Sequence, residues 1–101
     1  MSERQLLFDL DCLQKRRARK RFRKDIFDYW DNCAYCGRSR PTTLDHVLAK
    51  RRGGLTIKSN LVGACADCNL RKGCIDFMEW FRGQVFWTVE KELRVLEWVN
   101  T

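Results

Sequence analysis

Four cysteines dominate the chemistry this chain can offer. Cys33/Cys36 and Cys65/Cys68 form two Cys-x-x-Cys pairs with 28 residues between them. Thiolates in that arrangement suit one tetrahedral ion, with zinc the usual occupant, and such a four-sulfur site is closed to substrate. Any reaction therefore belongs to other side chains. His46 is the only histidine; it directly follows Asp45, and Asn60 lies fourteen positions on. Asn69 comes immediately after Cys68. A lone histidine is more often structural than catalytic. This one is followed closely by Lys50-Arg51-Arg52-Gly53-Gly54, a cationic loop with two glycines.

Composition narrows the setting. The 101 residues are expected to form a single domain, small enough for a metal staple to help its core. No apolar run approaches about 18 residues, so no membrane span is expected. The first residues carry acids and no sustained apolar stretch, which does not resemble a secretory signal. An intracellular protein is expected, and there paired Cys-x-x-Cys motifs favour a metal over disulfides. Nothing points to an organic cofactor. The net charge is +7, unevenly placed. Residues 1–73 hold 17 basic and 8 acidic side chains, whereas residues 74–101 hold 3 and 5. The basic part suits a polyanion, and nucleic acid is the usual one.

The elements that must position these residues can be read from periodicity. Leu6, Leu7, Leu10 and Leu13 suggest a short amphipathic helix over 2–14, and Cys12 reads as a small apolar residue or a free thiol. Residues 15–24 contain eight cations: Lys15, Arg16, Arg17, Arg19, Lys20, Arg21, Arg23 and Lys24. They predict a helix over about 12–31 whose first half is a basic ridge and whose second half docks through Phe22, Ile26, Phe27 and Trp30. Like charges on one helix repel, and a phosphate backbone relieves that repulsion, which makes the ridge a DNA-contact candidate. Gly37 suits the tight turn of a zinc knuckle. Thr42–Val47 and Asn60–Ala64 read as two short strands, and 65–72 as a turn or two of helix ended by Gly73. Residues 74–82 read as a buried helix with Cys74 packed against it. Thr88 is a candidate cap for a helix over 89–99 with Val89, Leu93, Leu96 and Val99 on its inner face. Val95 and Trp98 fall off that stripe.

Taken in order, Cys-x-x-Cys, Asp-His, Gly-Gly, Asn-Leu, Cys-x-x-Cys-Asn and Lys-Gly resemble the HNH (ββα-metal, or His-Me finger) endonuclease family over about 33–73. The resemblance implies an α+β fold: a ββα-metal core (33–73) with a structural zinc, a basic helical extension (1–32) and two C-terminal helices (74–101). It implies that His46 is the general base, that Asp45 is a ligand of a catalytic metal, and that Asn60 braces the loop and fixes the histidine. The third motif residue is often histidine; here it is Asn69. That departure resembles the endonuclease VII branch, where aspartate and asparagine hold the metal beside a four-cysteine zinc. Two oxygen ligands favour Mg2+ or Mn2+.

The implied activity is hydrolysis of DNA, one strand per site, leaving 5′-phosphate and 3′-hydroxyl ends. Lys50, Arg51, Arg52, Arg71 and Lys72 are candidate phosphate clamps. A double-strand cut would need two encounters or a homodimer. Nicking, homing and branched-DNA roles all remain open. Two readings compete: a zinc-stabilised DNA-binding module without catalysis, and a redox protein with Cys-x-x-Cys disulfides. The first leaves Asp45, His46, Asn60 and Asn69 together unexplained.

Overall fold

The computed structural model describes residues 3–101, with side chains from Asp9 onward. Its elements run α1 (Glu3–Tyr29), β1 (Thr43–His46), β2 (Leu61–Ala64), α2 (Ala66–Lys72), α3 (Phe77–Arg82) and α4 (Val89–Val99), with 3-10 turns at Lys50–Arg52 and Lys58–Asn60. This is an α+β fold with a ββα unit at its centre.

The two strands form an antiparallel pair in the register Thr43↔Ala64, Leu44↔Gly63, Asp45↔Val62 and His46↔Leu61. All four residues of β2 are buried. Asp45 and His46 therefore sit at the end of a strand whose partner is wholly interior, which limits how far their backbone can move. Cys65 follows β2 directly. Its sulfur accepts the Cys68 amide and caps α2, so one residue both ends the strand and starts the helix. Gly73 ends α2 with φ +52°, a backbone that side chains other than glycine rarely adopt.

Around this unit packs an aromatic core. Tyr35 meets Trp80 edge-on at 5.2 Å between centroids, and Phe81 at 5.6 Å. Phe77, Trp80 and Phe81 come from α3, and Val95 from α4. α1 enters this core only at its C-terminal end: Ile26 and Trp30 are buried, while residues 9–21 are exposed throughout. The root of α1 is tied to α4. Tyr29 stacks on Trp98 at 4.4 Å, Arg94 lies over the Trp30 ring at 4.6 Å, and Arg94 donates to the Tyr29 carbonyl.

Several expectations need correction. The short helix over 2–14 and the basic helix from about 12 are one continuous α1, because no glycine or proline interrupts them. Leu10 and Leu13 of the expected amphipathic face are exposed; the side chains of Leu6 and Leu7 lie outside the described residues. Cys12 is exposed with a free thiol. The helix over 74–82 begins only at Phe77, because Asp76 caps it by accepting the Glu79 amide. Cys74 and Ile75 are consequently exposed rather than packed. In α4 the inner face is centred on Val95, whereas Val89 and Leu93 face out. Trp98, the other residue off the expected stripe, packs on the core and donates its indole N–H to the carbonyls of Lys58 and Leu61.

Gly63 is a position where the packing tolerates no side chain. A Cβ there would lie 2.9 Å from the Trp30 Cβ and 3.0 Å from the Pro41 Cβ. Gly63→Ala should lower unfolding free energy by about 1–3 kcal/mol through overpacking. Urea unfolding measures it, and an unchanged midpoint would refute the tight packing of Trp30 and Pro41 on β2.

Candidate functional site

Two separate groups of side chains are built on the ββα unit. The first is the cysteine group. The sulfurs of Cys33, Cys36, Cys65 and Cys68 all lie within 4.8 Å of one another. An ideal tetrahedron with metal–sulfur bonds of about 2.3 Å has edges of about 3.8 Å, so the four sulfurs fit one ion such as zinc. Cys36 and Cys65 Sγ are 4.0 Å apart, far beyond a disulfide bond, and all six cysteines of the chain are free. Gly37, at φ +68°, closes the first knuckle by donating to the Cys33 carbonyl. Lys91 of α4 donates to the Cys36 carbonyl at 3.1 Å and clips that helix to the knuckle. Burial pushes the Cys33 and Cys68 thiols up. At Cys36 burial also acts upward, but the Arg38 and Ser39 amides and the neighbouring thiols outweigh it and bring the group down to about 7. A bound divalent cation would hold such thiols as thiolates.

The second group lines a cleft of about 200 Å³ between β1, the loop after it and α2. Asp45, His46 and Asn69 share it with Lys50, Arg51 and the exposed thiol of Cys74. His46 Nε2 is 2.9 Å from Thr56 Oγ1, which anchors the ring. Burial lowers the His46 pKa below its ordinary 6.5, and Lys50 adds to the effect while Asp45 opposes it. The imidazole is therefore neutral at pH 7. Asn69 donates through Nδ2 to Thr43 Oγ1 at 3.0 Å, which leaves its oxygen as the group available to a cation.

Asp45 is only 4% exposed. Its Oδ2 accepts from the Tyr35 hydroxyl and lies 3.2 Å from Lys72 Nζ. Lys72 also donates to the His46 carbonyl at 2.8 Å. Desolvation raises the Asp45 pKa, with Lys72 and Tyr35 working against it. One carboxylate oxygen is thus committed to protein partners and the other is not, so Asp45 and Asn69 together offer a divalent cation two hard oxygens in one cleft. Asn60 acts on the loop: its Oδ1 accepts from the Leu48 amide at 2.9 Å, and its Nδ2 donates to the carbonyls of Leu48 and Leu55. One amide thus ties the two ends of the loop that carries Lys50, Arg51 and Arg52. Gly54 is required there, since a Cβ would sit 1.7 Å from the Leu48 carbonyl oxygen.

The candidate cations fall into different places. Lys72 is not a phosphate clamp: it is fully buried, and its ammonium is spent on Asp45 and the His46 carbonyl. Arg71, its neighbour on α2, is exposed and pairs with Asp67. Arg52 reaches back to the Cys74 carbonyl at 2.9 Å. Lys50 and Arg51 remain on the cleft wall. On α1, Lys15 pairs with Asp11 and Lys24 with Asp28, Arg23 lies over Phe27, and Arg16, Arg17, Arg19, Lys20 and Arg21 are exposed. Tyr35 and Thr56 carried no expected role. The signal for Tyr35 was available: a tyrosine enclosed by a cysteine knuckle needs a partner for its hydroxyl. Thr56 had no such signal.

Comparison with known proteins agrees with this geometry. Residues 33–74 match the family model described as HNH endonuclease, a segment that contains the cysteine cluster, both strands, α2 and the cleft. No curated protein and no solved structure matches the chain. An HNH domain points to nuclease chemistry with DNA as substrate, and the ββα unit with its four-cysteine cluster fits the ββα-metal fold of that family. Among the described residues no helix is long and apolar enough to cross a membrane.

The buried ion pair gives a stability test. Lys72→Met strands the Asp45 carboxylate in the interior and should cost about 3–5 kcal/mol. The double variant Lys72→Met/Asp45→Asn should recover much of that loss, because no charge is left unpaired. Urea unfolding at pH 7 compares them; a single variant within about 1 kcal/mol of wild type would contradict a buried pair.

Proposed function

We propose that this protein is a metal-dependent DNA endonuclease that hydrolyses one strand per active site. The observation that carries the proposal is the meeting of Asp45, His46 and Asn69 in one cleft, with Lys50 and Arg51 on its wall, inside the segment that matches the HNH endonuclease model. In this reading Cys33, Cys36, Cys65 and Cys68 hold a structural Zn2+, and Asp45 and Asn69 hold Mg2+ or Mn2+. When bound, the catalytic cation neutralises charge on the scissile phosphate and stabilises the leaving 3′ oxygen. Asparagine in place of the more frequent histidine aligns the site with the endonuclease VII-like branch and with hard metals.

The protein's own groups do the rest. Nε2 of His46 is engaged by the Thr56 hydroxyl, so in this reading Nε2 carries the ring proton and Nδ1 takes a proton from the attacking water. Asn60 acts at one remove: it holds the loop that carries Thr56 and the cleft cations. Lys50 and Arg51 bind the phosphate. α1 is about 40 Å long, counting 27 residues at about 1.5 Å each, and its exposed part before Phe22 projects as an arm. Its cations from Lys15 to Lys24 face several directions and suit backbone contact with duplex or branched DNA, giving affinity without base readout. Cutting both strands then takes two copies of the chain or two encounters.

Nicking of supercoiled plasmid tests the proposal. Zinc-loaded protein should nick with Mg2+ or Mn2+ and poorly with Zn2+ or Ni2+ as the added cation. His46→Ala should lose at least about a hundredfold in rate while still binding DNA, the scale of a lost general base. The rate should fall as pH drops through the His46 pKa, with the midpoint below 6.5, because the base works deprotonated and its pKa is lowered. Wild type and His46→Ala equally inert, with DNA binding intact, would favour the non-catalytic binding module.

A further inference from the structure

We infer that Tyr35 is a positioning residue that couples the four-cysteine clamp to the cation site in the cleft. This rests on the assignment of Asp45 as a ligand of the catalytic cation. Tyr35 lies inside the first knuckle, between Cys33 and Cys36, and is fully buried. Its ring is walled by Phe77, Trp80 and Phe81, with centroids 5.2–6.0 Å away. Its hydroxyl donates to Asp45 Oδ2, across to the other group of functional side chains.

A hydroxyl held this way has one place to be. The knuckle fixes the tyrosine backbone, since the Cys33 amide donates to the Ser39 carbonyl at 2.8 Å and the Ala34 amide to the Gly63 carbonyl at 2.9 Å. The aromatic walls restrict the ring. The register of Asp45 opposite Val62 fixes the carboxylate's own backbone. Tyr35 and Lys72 both engage Oδ2, from two different elements, so the carboxylate is held against rotation and Oδ1 is the oxygen presented to a cation. Lys72 alone would allow the carboxylate to swing toward the ammonium, pairing both oxygens with it. Tyr35 opposes that swing with a neutral donor. Partners of this kind behind a metal ligand typically affect metal affinity about 10–100-fold. The consequence is a cation site whose geometry is set from inside the cysteine knuckle, because the hydroxyl that orients Asp45 belongs to the residue between Cys33 and Cys36.

Two measurements test this, neither reading activity. The protein has only two tyrosines, so 3-fluorotyrosine labelling gives two fluorine resonances. Titrating Mg2+ into zinc-loaded, DNA-free protein should shift the Tyr35 resonance saturably and leave that of Tyr29, at the root of α1, in place. Tyr35→Phe keeps the ring and removes the hydroxyl. Its zinc content should be unchanged, while Mn2+ affinity read by electron paramagnetic resonance should weaken at least about tenfold. An unmoved Tyr35 resonance in a protein that binds Mg2+, or unchanged Mn2+ affinity in Tyr35→Phe, overturns the coupling and leaves the nuclease reading standing. Failure of wild-type protein to bind Mg2+ or Mn2+ and to nick DNA overturns the nuclease reading itself.

Discussion

The structure depends on bringing four sulfurs from two distant segments within 4.8 Å of one another. Cys33 and Cys36 lie in a turn after α1, and Cys65 and Cys68 at the junction of β2 and α2. Their convergence sets where the hairpin ends, where α2 begins and which way Tyr35 points. A two-stranded sheet with four residues per strand has little intrinsic stability. A core this size gains from a cross-link, and a metal bound by thiolates supplies one by coupling binding to folding.

The interior then separates two kinds of chemistry. The sulfur cluster is clipped to α4 by Lys91. The cleft is lined by other residues, beside the loop tied by Asn60. Between them run the buried contacts among Tyr35, Asp45 and Lys72. A buried lysine and aspartate are expensive to desolvate, and such a pair is weak evidence for stability by itself. Here its geometry is informative: Lys72 reaches both the Asp45 carboxylate and the His46 carbonyl, so one ammonium fixes the orientation of two adjacent candidate residues from the last turn of α2.

Much of this was legible in the sequence. Cys-x-x-Cys spacing announced the clamp, Asp45, His46 and Asn69 were singled out and share one cleft, and Thr88 and Gly73 marked helix ends where the structure has them. What was not legible depended on which side of an element faces inward. Arg71 and Lys72 are adjacent cations in the sequence, yet a helix turns about 100° per residue, so one meets solvent and the other the core. Val95 displaced Leu93 from the inner face of α4 because Tyr29, Trp30 and Trp98 form an aromatic joint that sets the helix rotation, and no local pattern encodes a contact between residues so far apart. Cys74 faces the cleft rather than the core because the Asp76 cap delays the helix by three residues.

Nuclease chemistry at the Asp45–His46–Asn69 cleft is tested most directly by the ends it leaves. Supercoiled plasmid nicked by the zinc-loaded protein with Mg2+ should be resealed by DNA ligase with no end repair, because water attack with departure of the 3′ oxygen leaves a 5′-phosphate beside a 3′-hydroxyl. Nicks that ligase cannot close, or plasmid that is never nicked, would contradict it.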